Sequence, residues 1–171
     1  MNFIAVFLAV IIKCIKKILF NLYSLFISAY AKGIFILKGV SFGTCLQING
    51  HVILTISRNS HVKIGDGFIC NSGIYRGISQ DIYSKITVYK GASLCVGDNV
   101  GITNTSIQCT KEISIGKHTL IGAGCLIMDS DFHDLDYRVR RIEDIGLSTA
   151  KSNPIHIGND VKFSNDITLI A

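Results

Sequence analysis

The sequence predicts an all-β solenoid of short stacked coils behind one N-terminal amphipathic α-helix, and three observations predict it. Four segments share the pattern apolar, variable, apolar, glycine: Val62-Lys63-Ile64-Gly65, Leu94-Cys95-Val96-Gly97, Ile113-Ser114-Ile115-Gly116 and Ile155-His156-Ile157-Gly158. Apolar residues recur six positions apart, as in Ile115, Ile121, Ile127 and in Ile157, Phe163, Leu169. Ahead of the repeats, polar residues return at helical spacing. A chain of 171 residues with 49% hydrophobic and 17% charged side chains fits one folded domain and excludes a disordered one. One proline and no tryptophan exclude a Pro-rich linker and a WD-type propeller.

The helix occupies residues 1–32. The run from Phe3 to Ile12 is too short to span a bilayer. Its positive charges, Lys13, Lys16 and Lys17, follow it, whereas a signal peptide carries them in front. Lys13, Lys17, Asn21, Ser24 and Ser28 form one polar stripe on a wide apolar cylinder. Such a helix can lie in a membrane interface, or it can cap a core or pack on a partner subunit. Charge favours the membrane surface as a partner. The net +5 divides into +7 over residues 1–65, which contain no acid, and −2 over the remainder. Positive residues after the apolar run favour a cytoplasmic body, peripheral on the inner face of the membrane. A slightly acidic body without any RNA- or DNA-binding motif argues against nucleic acid.

The coils occupy residues 33–171. A six-residue beat is neither helical nor a plain alternation; it reads as short strand, turn, short strand, with one apolar side chain per beat pointing inward. Three beats make an 18-residue coil. Stacking such coils about 4.8 Å apart pairs their backbones and joins their corners into one core. Turn residues follow the repeats at Asp66-Gly67, Asp98-Asn99 and Asn159-Asp160, with Lys117-His118 in the remaining place. The beat fails at about 71–85 and 129–153, which are excursions from the coil. About 100 residues remain, enough for five to six coils. The six cysteines lack any C-x-x-C spacing and read as small buried thiols rather than as a disulfide framework.

The hexads, the Ile-Gly-Asp-like turns and the segment Ile127-Met128-Asp129-Ser130-Asp131-Phe132-His133 resemble the hexapeptide-repeat acyltransferases, above all their sugar and polysaccharide O-acetyltransferase branch. The resemblance covers about residues 40–171. It implies a left-handed parallel β-helix, a homotrimer, and acetyl-CoA as donor, bound along the groove between neighbouring subunits. The function it implies is O-acetyl transfer to a hydroxyl of a sugar or glycan intermediate.

His133 takes the place of the next apolar corner residue and opens the larger excursion. A histidine there suits a general base, the role the resemblance implies for it. Asp131 and Asp129 precede it at steps of two, so an extended segment would set all three on one side. A carboxylate could then orient the imidazole, or both aspartates could cap a turn. Asn104, in the preceding coil, matches an asparagine that contacts the reacting groups in the family; it also sits in an ordinary polar turn, Thr103-Asn104-Thr105-Ser106. The mixed charges Asp134, Asp136, Arg138, Arg140, Arg141, Glu143 and Asp144 read as a solvated loop or as a substrate lid. His118, His133 and His156 are spaced too irregularly for a local metal motif, and no metal is expected.

Ser164 and Asn165 match the family's donor-contact region loosely. Lys162 stands where relatives often have an aromatic residue, and Ser164 where they usually have glycine. Relatives also continue through further coils beyond the position of Leu169-Ile170-Ala171, so the reading is of a domain truncated at its C-terminus or covered there by a partner. A non-catalytic, membrane-associated scaffold is the alternative to an enzyme.

Overall fold

Helix α1 (Phe3–Leu37) opens the chain. The computed structural model describes residues 3–73, 83–141 and 150–171. The helix runs five residues past the expected end at 32. Gly33 is an interior residue of the helix, with open space where a Cβ would lie. The stop is Gly39, at φ +70°. Its N–H donates to the Ile36 carbonyl (3.0 Å), and the Val40 N–H donates to the Phe35 carbonyl (2.9 Å). This is the Schellman pattern, completed by two buried apolar side chains, Phe35 and Val40.

Five coils follow. The first is β1 (Ser41–Phe42), β2 (Gln47–Asn49) and β3 (Val52–Ile56); the second is β4 (His61–Ile64), β5 (Ile69–Asn71) and β6 (Ser84–Val88). The third is β7 (Ser93–Val96), β8 (Gly101–Thr103) and β9 (Ser106–Cys109); the fourth is β10 (Glu112–Ile115), β11 (Leu120–Ile121) and β12 (Leu126–Met128). After the one-turn helix α2 (Tyr137–Arg140), the fifth is β13 (Ile155–Ile157), β14 (Lys162–Phe163) and β15 (Thr168–Ile170). First strands pair with first strands, second with second and third with third, giving three five-stranded parallel sheets. The fold is a parallel β-solenoid behind a long helix.

Register explains the six-residue beat. Ile64, Val96, Ile115 and Ile157 stand in one row across the first sheet. Cys70, Ile102, Ile121 and Phe163 form the row of the second, and Ile86, Ile107, Ile127 and Leu169 that of the third. These rows meet in one core. Ala31 and Phe35 of α1 close it at the first coil, where the Phe35 and Phe42 rings are 6.0 Å apart.

In the first four coils the turn after the first strand is held by the coil that follows. The Asp66 carboxylate accepts from the Thr44 N–H (2.6 Å) and hydroxyl (2.9 Å); Asp98 accepts from the Asp66 N–H (3.1 Å) and Asn159 from the Lys117 N–H (2.9 Å). The Lys117 side chain cannot accept. Its ammonium instead pairs with Asp98 at 2.8 Å and holds that carboxyl below its ordinary range.

The chain leaves the coil after Asn71, returning at Ser84, and again after Met128, returning at Ile155. Glu143 and Asp144 lie outside the described residues. Cys70, Cys109 and Cys125 are buried as expected, while Cys14, Cys45 and Cys95 are exposed. Burial pushes the Cys70 and Cys109 thiols up to about 12. Among the described residues no helix is long and apolar enough to cross a membrane.

Candidate functional site

The segment 129–133 is a turn, and it does not place its three ionisable side chains on one side. Ser130 is buried, forms an antiparallel bridge with Ser152, and accepts the Phe132 N–H on its Oγ (3.1 Å). Phe132 is thereby held at φ +60°, a left-handed conformation that costs a bulky L-residue about 1–2 kcal/mol. Its ring packs on Tyr89 at 5.6 Å, which offsets part of that cost. The bend turns Asp131 and His133 into one cavity of about 250 Å³, shared with Asp134, Leu135, Lys151 and Asn153.

Asp129 points the other way, into the body. It is fully buried. Oδ1 accepts from the Thr110 N–H (2.6 Å) and hydroxyl (2.8 Å), and Oδ2 accepts from the N–H groups of Lys111 and Glu112 (2.8 Å each). Thr110 is also hydrogen-bonded to the Ser152 hydroxyl (2.8 Å), and the Asn153 N–H donates to the Asp129 carbonyl (3.1 Å). The carboxylate thus ties the departing strand to the turn of the coil below, and the Thr110 hydroxyl and the Asp129 main chain carry the link on to the returning strand. It positions the cavity without facing it.

Asn104 is placed elsewhere. It lies between β8 and β9, the corner joining the second and third sheets, whereas His133 follows β12, at the corner joining the third to the first. Asn104 is fully buried at φ +40°, a region asparagine tolerates. Its amide closes on one residue: Oδ1 accepts from the Gly73 N–H (2.9 Å) and Nδ2 donates to the Gly73 carbonyl (3.4 Å). The side chain fixes the point where the first excursion leaves the coil. Replacement by alanine orphans the Gly73 N–H and strains φ, so Asn104→Ala is expected to cost about 2 kcal/mol in thermal unfolding.

Ser164 and Asn165 lie together at that same corner two coils further on, between β14 and β15. They line an open groove of about 460 Å³ on the second sheet, with Asn71, Thr103, Leu120 and Lys162. Asn165 Oδ1 accepts from the Ala123 N–H (3.1 Å). Within one chain, therefore, Asp131 and His133 share a cavity and Ser164 and Asn165 border a separate groove, while Asp129 and Asn104 are buried outside both.

The charged loop is tied to itself. Asp136 caps α2 by accepting from the Arg138 N–H (2.9 Å) and pairs with its guanidinium (2.8 Å). Arg140 donates to the carbonyls of Asp134 and Leu135. His156 meets the Ser114 hydroxyl at 2.7 Å. Among the described residues no three His, Cys, Asp or Glu side chains stand together as metal ligands. Sequence reasoning missed Lys151 and Asn153 as cavity residues; the only signal was their place at the far end of the excursion. Compared with known proteins, the chain matches no family model, no curated protein and no solved structure.

Proposed function

We propose that the chain is a hexapeptide-repeat O-acyltransferase with a left-handed coil, moving acetyl from acetyl-CoA to a hydroxyl of a sugar or glycan intermediate. The observation that carries the reading is the pairing of Asp131 and His133 in one cavity, at the strained turn where the chain leaves the fourth coil. His133 takes the proton of the acceptor hydroxyl as that oxygen attacks the thioester carbonyl. The carbon–sulfur bond then breaks, and the proton passes to the departing coenzyme A thiolate. Asp131 stabilises the imidazolium formed in between. Ser164 and Asn165 border the groove that takes the pantetheine arm. In a homotrimer this groove on one copy faces the His133 corner of the next, which joins the two halves of the site. A coenzyme A donor places the body on the cytoplasmic side.

Thiol release from acetyl-CoA across a panel of sugars tests the reading. His133→Ala is expected to lower turnover roughly a hundredfold and Asp131→Asn about tenfold, with unchanged thermal stability. Equal turnover by His133→Ala would remove His133 from the mechanism. A second reading, a non-catalytic scaffold, draws on Asn104 and Asn165, whose amides are engaged by backbone. Folded protein that releases no thiol with any acceptor would favour it.

A further inference from the structure

The side of α1 turned away from the solenoid is a continuous exposed apolar surface. Two rows run along this helix. One is Lys13, Lys17, Asn21, Ser24 and Ser28, continued at the same spacing by Ala31 and Phe35. Its last members meet the body: Ser24 Oγ donates to Asn49 (3.0 Å), Ser28 Oγ accepts the Ile48 N–H (3.3 Å), and Ala31 and Phe35 enter the core. An α-helix keeps residues three and four apart on one face, so Lys13 and Lys17 share the body side. The opposite row, Ile4, Leu8, Ile15, Leu19, Leu22 and Phe26, has no polar member, and each residue is 50% exposed or more. The part of α1 before Ser24 extends past the body by about 30 Å.

We propose that α1 lies in the plane of an anionic membrane surface, its apolar row in the acyl boundary and its lysines at the headgroups on the body side. Charge complementarity selects this occupant. Lys13, Lys16 and Lys17 cluster midway along the projecting part, and residues 1–65 contain no acid. A spanning orientation would set these three ammonium groups near the bilayer midplane, where charge is most costly. Pairing with α1 of a second copy in register would bring three more lysines beside them.

The test is sedimentation of the full chain with phosphatidylcholine vesicles, with and without phosphatidylglycerol. Binding is expected to need the anionic lipid and to fall in molar salt. Replacing all three lysines, Lys13→Gln, Lys16→Gln and Lys17→Gln, is expected to weaken it about a hundredfold. The chain has no tryptophan, so Leu22→Trp and Lys17→Trp each give a single probe at an exposed position. Brominated lipid should quench the Leu22→Trp protein strongly and the Lys17→Trp protein weakly. Equal quenching of both, deepest with midplane bromine, would show a spanning helix and overturn the proposal. So would an absence of vesicle binding together with an oligomer that Leu22→Asp dissociates, because α1 would then be buried in a second copy.

Discussion

Asp129→Ala is expected to destabilise the protein by about 3–5 kcal/mol, read as a fall of roughly 2 M in the urea midpoint. The carboxylate is fully buried, and its two oxygens accept three backbone N–H groups and one hydroxyl. Truncation leaves Thr110, Lys111 and Glu112 with unpaired N–H groups in a space that excludes most water, and each such group costs about 1–3 kcal/mol. Asp129→Asn should recover little, because its amide NH₂ would face donors. The comparison is Asp131→Ala, two residues along and exposed. It should shift stability by less than about 0.5 kcal/mol, yet lower the rate under the transferase reading. A stable Asp129→Ala protein would mean that the neck of the excursion does not rest on this carboxylate.

The two aspartates show what the sequence could and could not reveal about the site. Both lie an even number of residues before His133, at two and four, and an extended strand would set them on one side. The left-handed turn at Phe132 separates them, and its cause is the buried Ser130 hydroxyl together with a ring on Tyr89, more than 40 residues earlier. Asn104 shows the same limit. Its place in a polar turn was legible, but its partner is Gly73, 31 residues away, at the edge of the other excursion. In a solenoid each side chain at a corner answers to the coil above or below. Local sequence therefore fixes that a residue sits at a corner without fixing which coil it serves.

The fold was more legible because its rules are repeated. The apolar beat appears in every coil, and the register of Ile64, Val96, Ile115 and Ile157 follows from it directly. The helix boundary was less so. Gly33 and Gly39 are equally plausible stops by composition, and only Gly39 precedes an apolar residue, Val40, that returns to pack near Phe35. The polar stripe of α1 was visible as a stripe. That its C-terminal half would seat on the first coil, leaving the apolar side outward, depends on the edge strand β2, whose Ile48 N–H donates to Ser28 and whose Asn49 side-chain oxygen accepts from Ser24.

The repeated glycine gives the second large effect. Gly116→Ala is expected to cost about 3 kcal/mol, at the upper end of overpacking, and to lower the urea midpoint accordingly. A Cβ on Gly116 would stand 2.4 Å from the carbonyl carbon and oxygen of Gly158 and 2.6 Å from the Asn159 nitrogen. All three are backbone atoms of the next coil. No side chain can swing aside, so the fourth and fifth coils must separate, stretching the Gly116 N–H to Ile157 carbonyl bond at 2.9 Å. Gly158 holds the same motif position one coil on, where a Cβ would approach nothing closer than Val161 at 4.0 Å. Gly158→Ala should therefore be neutral, or slightly stabilising through the reduced freedom of the unfolded chain. If both substitutions cost the same, glycine would be demanded by the turn itself; if only Gly116→Ala does, it is demanded by the coil stacked on it, and the four-residue signature in the sequence is a record of stacking rather than of turn geometry.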